Sequence, residues 1–158
     1  MAIRLGFVGT GGIANHHLNN LKELEGVTVS AFCDIVRERA EAAAGQWPDA
    51  KAYTNIADML DDRRLDGLYI CVPPMAHGEP ERHAIERGIP FLVEKPVGLH
   101  MDEARRIAAD IRGKDLLTAV GYQWRYTDAA TLAKILLEDR KLGMAVGYRM
   151  SGLPATPW

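Results

Sequence analysis

Cysteine is scarce in this 158-residue chain, and where its two copies stand excludes several roles. Cys33 and Cys71 lie singly within the apolar stretches Ala31-Phe32-Cys33 and Tyr69-Ile70-Cys71-Val72, and no C-x-x-C pair occurs. A disulfide scaffold and a thiolate metal or redox motif are therefore not expected; buried free thiols in a reducing compartment are, and the expected localisation is cytoplasmic. Long apolar runs are lacking too. Nothing approaches the ~20 residues that cross a bilayer, and the run that begins at Leu5 after the single basic Arg4 is stopped by Gly9, too short for a signal-peptide core. An excess of either charge is also missing: 19 basic against 21 acidic residues give a net charge of −2. No segment combines clustered basic residues with aromatics, so neither nucleic acid nor a membrane is an expected partner. The histidines do not suggest a metal: His83 follows His77 by six positions, not by the i, i+4 step of helical ligand pairs, so no metal site is expected.

What is present is a pattern of short β-branched apolar runs alternating with amphipathic stretches, in a chain 47% hydrophobic and 25% charged. Such a length and composition suit one core-forming domain. The pattern predicts strands over 3–8, 27–33, 51–53, 67–72, 91–93, 116–120 and 145–150. It predicts helices over 12–24, 37–46, 56–60, 78–87, 101–111 and 128–138. Thr54 or Asn55 is placed to cap the third helix, and Gly88 and Gly113 stand where a C′ glycine would end the fourth and fifth. Alternating β and α units imply an α/β fold with a parallel sheet covered on both faces, a three-layer αβα arrangement. Residues 1–150 read as one domain; 151–158, with two prolines and a terminal tryptophan, read as the start of a linker to a further, C-terminal substrate domain.

The first predicted strand runs into Gly9-Thr10-Gly11-Gly12-Ile13-Ala14 and then into a helical pattern, the context required of a G-x-G-x-x-A dinucleotide loop. Gly9 permits the tight strand-to-helix turn, Gly11 lets the backbone approach a pyrophosphate, and Ala14 allows close packing of helix on strand. The phosphates would sit on the unpaired amides of the helix that begins near Gly12. Asp34 directly follows the second strand, 20 positions after Ala14, where an acid that accepts the adenosine-ribose hydroxyls belongs. A carboxylate there repels a 2′-phosphate, so NAD is favoured over NADP, although Arg37 and Arg39 lie near enough in sequence to offset part of that repulsion.

Three more segments follow predicted strands: Cys71-Val72-Pro73-Pro74-Met75-Ala76-His77, Glu94-Lys95-Pro96, and Val120-Gly121-Tyr122-Gln123-Trp124-Arg125-Tyr126. Together with the glycine loop they resemble the glucose-fructose oxidoreductase, inositol dehydrogenase and rhizopine-catabolism (MocA) family, over essentially the whole chain. The resemblance implies a Rossmann-type doubly wound sheet. It implies that Glu94 and Lys95 face nicotinamide and substrate, that the loop from Val72 and Pro73 to His77 packs along the cofactor, and that Gln123, Trp124 and Arg125 close over the nicotinamide end. Lys95 also has a chemical claim to catalysis, because removing hydride from a secondary alcohol requires a group that accepts or shares the hydroxyl proton. The plainer alternative is an exposed Lys95–Glu94 ion pair worth little. His77 reads equally as a cofactor contact or as a helix cap, and His16 and His17 as solvent-facing or packing residues. A Lys95–Pro96 bond of either isomer fits the sequence.

The reading that follows is the dinucleotide-binding half of an NAD-dependent oxidoreductase that acts on a sugar, polyol or sugar derivative, homo-oligomeric as a full-length protein. The 158 residues alone are expected to bind NAD weakly and turn nothing over. The alternatives are a non-catalytic NAD-binding regulatory module and an NAD-dependent, redox-assisted glycosidase.

Overall fold

The computed structural model describes residues 2–138, which divide between two units, Met1–Gly121 and Tyr122–Trp158. The first unit carries β1 (Ile3–Val8), α1 (Gly12–Leu21), β2 (Val27–Cys33), α2 (Arg37–Ala44), β3 (Lys51–Tyr53), α3 (Ile56–Asp62) and β4 (Gly67–Ile70). A 3-10 turn (Pro74–Ala76), α4 (Glu79–Glu86), β5 (Phe91–Val93), α5 (Met101–Gly113) and β6 (Thr118–Val120) complete it. All pairings are parallel, in the order β3-β2-β1-β4-β5-β6. The chain steps outward from β1 to β3, then returns to build the other half from β4, which makes the gap between the carboxyl ends of β1 and β4 a topological switch point.

The two-residue period of the strands, offset once in β2 where the register on β1 shifts between Leu5 and Gly6, explains why both faces are covered. Phe7, Val29 and Phe32 pack with Ala14, Leu18 and Leu21 of α1 and Ala43 and Ala44 of α2. Their neighbours Val8, Ala31 and Cys33 point the other way and join Leu68, Ile70, Phe91 and Val93 against α3, α4 and α5 through Ile56, Met59, Leu60, Ala84, Ile85 and Ile107. The result is the expected αβα sandwich. Phe7 stacks on Tyr69 at 4.8 Å between centroids and on Phe32 at 5.9 Å, locking the centre of the first layer.

Several elements are shorter than the sequence pattern suggests, for local reasons. β4 ends at Ile70, not at Val72, because Pro73 and Pro74 have no amide with which to extend the ladder. α1 ends at Leu21, where Glu23 and Leu24 bond to carbonyls three residues back and Gly26 takes φ 77°. Asn55 caps α3, accepting the amides of Ala57 at 2.8 Å and Asp58 at 3.2 Å. Gly88 ends α4 at φ 65°, with the Ile89 amide reaching back to the Ala84 carbonyl at 2.9 Å. At the end of α5 the left-handed position falls on Asp115 (φ 49°), not on Gly113, which is the last helical residue. A Cβ at Gly88 would meet nothing within 4 Å, so Gly88→Ala isolates the backbone cost and should lower stability by about 1 kcal/mol in urea denaturation.

The second unit opens with a 3-10 turn (Gln123–Tyr126) and α6 (Asp128–Leu137). Thr127 caps α6 by accepting the Ala130 amide at 3.3 Å, while its hydroxyl donates to the Trp124 carbonyl at 3.0 Å. The strand expected over 145–150 and the tail 151–158 lie outside the described residues.

Candidate functional site

At the switch point the glycine loop is built from two kinds of glycine. Gly9 takes φ 83°, and a Cβ on it would lie 2.5 Å from the Cys71 carbonyl oxygen and 2.8 Å from its carbon. Its amide donates to the Cys33 carbonyl at 2.8 Å, so Gly9 is wedged between the ends of β2 and β4. Gly11 and Gly12 differ: a Cβ on either meets nothing within 4 Å. The protein itself does not fill that space. α1 has no side-chain cap and its first bond is Asn15 N to Gly11 O at 3.1 Å, which leaves the amides of Gly12, Ile13 and Ala14 without intrahelical acceptors. Open volume beside unpaired amides at the positive end of a helix is the surrounding a pyrophosphate requires. Ala14, completely buried, lets α1 sit close on the sheet.

Asp34 stands beside this cradle with its carboxylate already oriented. Its Oδ2 accepts the Thr10 amide at 2.9 Å and the Thr10 hydroxyl at 2.8 Å, and its Oδ1 accepts the Val36 amide at 2.9 Å. Thr10 is itself buried, so the loop and the acid form one rigid piece. Each carboxylate oxygen can accept more than one hydrogen bond, which leaves Oδ1 capacity for a hydroxyl. This arrangement fits a dinucleotide whose ribose diol meets Asp34.

Across the switch point, Val72 and Pro73 leave β4 directly against Gly9, the Val72 amide nitrogen 3.2 Å from where its Cβ would be. His77 ends this loop with its side chain buried: Nδ1 is 2.6 Å from Glu81 Oε1, and Glu81 Oε2 accepts the Gly78 amide at 2.6 Å. The cap of α4 is thus supplied by Glu81, with His77 bracing it. Among the described residues, His77 Nε2 has no hydrogen-bond partner.

The end of β5 departs from an open pair of ligand-facing side chains. Glu94 is buried, and its carboxylate is turned inward: Oε1 lies 2.8 Å from His17 Nε2 of α1, and Oε2 accepts the Lys95 amide at 3.1 Å. Gly121 closes over it, because a Cβ there would fall 2.6 Å from Oε1. Lys95 is exposed and, among the described residues, makes no ion pair with Glu94 or any other acid. The Lys95–Pro96 bond is cis. Cys33, at the end of β2, and Cys71, just past β4, are buried neutral thiols. Burial, reinforced by the Asp34 charge, pushes Cys33 up to about 11; burial and then the Glu94 charge push Cys71 up to about 12. Neither is a nucleophile at neutral pH.

Gln123, Trp124 and Arg125 form the 3-10 turn of the second unit, where the Arg125 guanidinium lies 5.6 Å from the centroid of the Tyr126 ring. His17 is the site residue that the sequence reading passed over. A usable signal existed: three positions after Ala14 and four before Leu21, both buried, residue 17 falls on the sheet-facing side of α1.

Comparison with known proteins agrees with this geometry. The model of the Gfo/Idh/MocA family, described as an oxidoreductase family with an NAD-binding Rossmann fold, matches residues 3–122. The inositol 2-dehydrogenase of Paracoccus denitrificans is 32% identical over 130 residues, covering 80% of this chain and 38% of the relative. That of Salmonella typhimurium is 28% identical over 146 residues, 90% of this chain and 44% of the relative. The crystal structure of myo-inositol 2-dehydrogenase from Lactobacillus plantarum superposes with a TM-score of 0.80 at 27% identity, covering 88% of this chain and 42% of the other. This chain therefore spans about two fifths of the length of such relatives. With three quarters of its residues under the family model and the switch-point cradle in place, the chain belongs to the Gfo/Idh/MocA oxidoreductase family and carries its NAD-binding Rossmann fold.

Proposed function

We propose that this chain is the cofactor half of an NAD-dependent oxidoreductase that transfers hydride between nicotinamide and a hydroxyl of a sugar, polyol or sugar derivative. One observation carries the reading: Asp34, fixed by Thr10 and Val36, stands beside a glycine cradle that the protein leaves open. The inositol dehydrogenases among the relatives support a polyhydroxylated substrate.

In this reading Gly9, Thr10 and Gly11 shape the loop, the amides of Gly12, Ile13 and Ala14 hold the pyrophosphate, and Asp34 accepts the ribose hydroxyls. Val72, Pro73 and His77 form the opposite wall. Bound NAD supplies the hydride acceptor or donor at C4 of its ring. Lys95 Nζ accepts or returns the hydroxyl proton, and Glu94 holds the Lys95 backbone. The chain belongs to a longer, homo-oligomeric, cytoplasmic protein; relatives of the same family carry more than half of their length outside the matched stretch.

Calorimetric titration of the chain with NAD and with NADP tests the site. NAD should bind more tightly than NADP. Asp34→Ala should weaken NAD about tenfold or more, as a lost charge-assisted hydrogen bond implies, and should narrow the preference over NADP. An unchanged NAD affinity in the variant would overturn the assignment of Asp34.

A further inference from the structure

The Glu94 carboxylate poses a physical problem that its surroundings solve in one way. It is buried at 4% exposure, its nearest cationic neighbour in sequence is Lys95, and an unpaired buried carboxylate is strongly disfavoured. The pairing that proximity suggests, carboxylate to the adjacent ammonium, is not made. One oxygen meets His17 Nε2 at 2.8 Å and the other takes the Lys95 backbone amide at 3.1 Å. A carboxylate oxygen accepts, so the donor in this bond is His17 Nε2.

His17 is well placed to hold the carboxylate still. Its helix is anchored by Ala14, Leu18 and Leu21, and its ring lies tilted against Tyr69 at 5.1 Å between centroids with only 16% of the side chain exposed. Gly121 shuts the remaining side, as the 2.6 Å approach of a Cβ there shows. The same helix presents its N-terminal amides to the glycine cradle. One rigid element thus touches both the dinucleotide loop and the carboxylate next to Lys95.

We propose that His17 is a positioning residue for Lys95, acting through Glu94: by engaging Glu94 Oε1 it ties the carboxylate to α1 and leaves the Lys95 amine without a counter-ion. This rests on the assignment of Lys95 as the proton-transferring group. An amine locked in an ion pair is held protonated and immobile, whereas one free of its neighbour can meet a substrate hydroxyl and exchange a proton with it. Freed from His17, the Glu94 carboxylate would turn to the cation next to it in sequence, Lys95.

The test uses competitive acetylation of the chain by N-hydroxysuccinimidyl acetate at fixed pH, with Lys95 read against Lys51 by peptide mass spectrometry. Lys51 serves as the internal standard because it is paired with Asp62 at 3.0 Å, in a network that does not include His17. His17→Leu should reduce the Lys95-to-Lys51 labelling ratio about threefold or more, because an amine held against a carboxylate is a poorer nucleophile. His17→Gln, whose amide can donate to the carboxylate, should restore the ratio to within about twofold, and so should Glu94→Gln on the His17→Leu background. His17→Ala, which leaves room for water beside the carboxylate, carries the same expectation as His17→Leu. A merely structural role predicts no rescue by Glu94→Gln on the His17→Leu background, since that change repairs no packing. A ratio unchanged in His17→Leu and His17→Ala, or a drop that Glu94→Gln does not reverse, would overturn the proposal. No cofactor enters the assay, so a failure of NAD to bind would register in the titration described above and leave this result untouched.

Discussion

Alanine at position 9 is expected to lower stability by about 4 kcal/mol or more, or to prevent folding altogether, the largest single-residue effect the structure implies. Two costs coincide there. At φ 83° a Cβ carries the usual left-handed penalty of roughly 1–2 kcal/mol. The second cost is larger, because the atoms in the way, 2.5 and 2.8 Å from that Cβ, are the carbonyl oxygen and carbon of Cys71. A flexible side chain would swing aside; this backbone cannot. The Cys71 amide is bonded to the Val8 carbonyl at 2.7 Å, and the register of β1 on β4 brings Val8 opposite Ile70. Relieving the overlap means prying apart the strands on which both halves of the sheet depend. Urea unfolding followed by circular dichroism reads the effect directly, and a loss below about 1 kcal/mol would show that the switch point is more compliant than its geometry indicates.

The contrast between Gly9 and the rest of the site also shows which features the sequence makes legible. Strand positions are legible as short apolar runs, because Phe7 and Val8, or Phe32 and Cys33, face opposite layers and both layers are apolar. The glycine loop and Asp34 are legible because their chemistry depends on short spacing along one β-α-β unit. What sequence spacing does not reveal is contact across units. His17 and Glu94 are separated by 77 positions, and they meet because parallel strands bring the end of β5 to the same edge of the sheet as the end of β1, from which α1 starts. Nor did the sequence show that Gly121 is needed to make room for Glu94, since a glycine after a strand reads as an ordinary turn. The left-handed residue after α5 was misassigned for a related reason: Gly113 has the propensity, but the Leu116 amide reaches the Ile111 carbonyl at 3.2 Å only if Asp115 takes that conformation. Aspartate tolerates it better than most residues.

Gly11→Ala should behave as the mirror image of Gly9→Ala, and the pair together separates a loop built to turn the chain from one built to receive a ligand. Gly11 has φ −75° and ψ −166°, which alanine adopts without strain, and its Cβ would enter empty space. The loss of an N-cap glycine and the reduced freedom of the unfolded chain act in opposite directions, so stability should stay within about 1 kcal/mol of the parent. NAD affinity should nevertheless fall at least about tenfold, ~1.4 kcal/mol, because the methyl group takes the place that the pyrophosphate must occupy against the amides of α1. A glycine that serves only the fold cannot show this combination, since removing it would damage stability first. If Gly11→Ala binds NAD as the parent does while folding normally, the open space beside α1 is not where the phosphates sit, and the cradle must be sought on the Val72 side of the switch point.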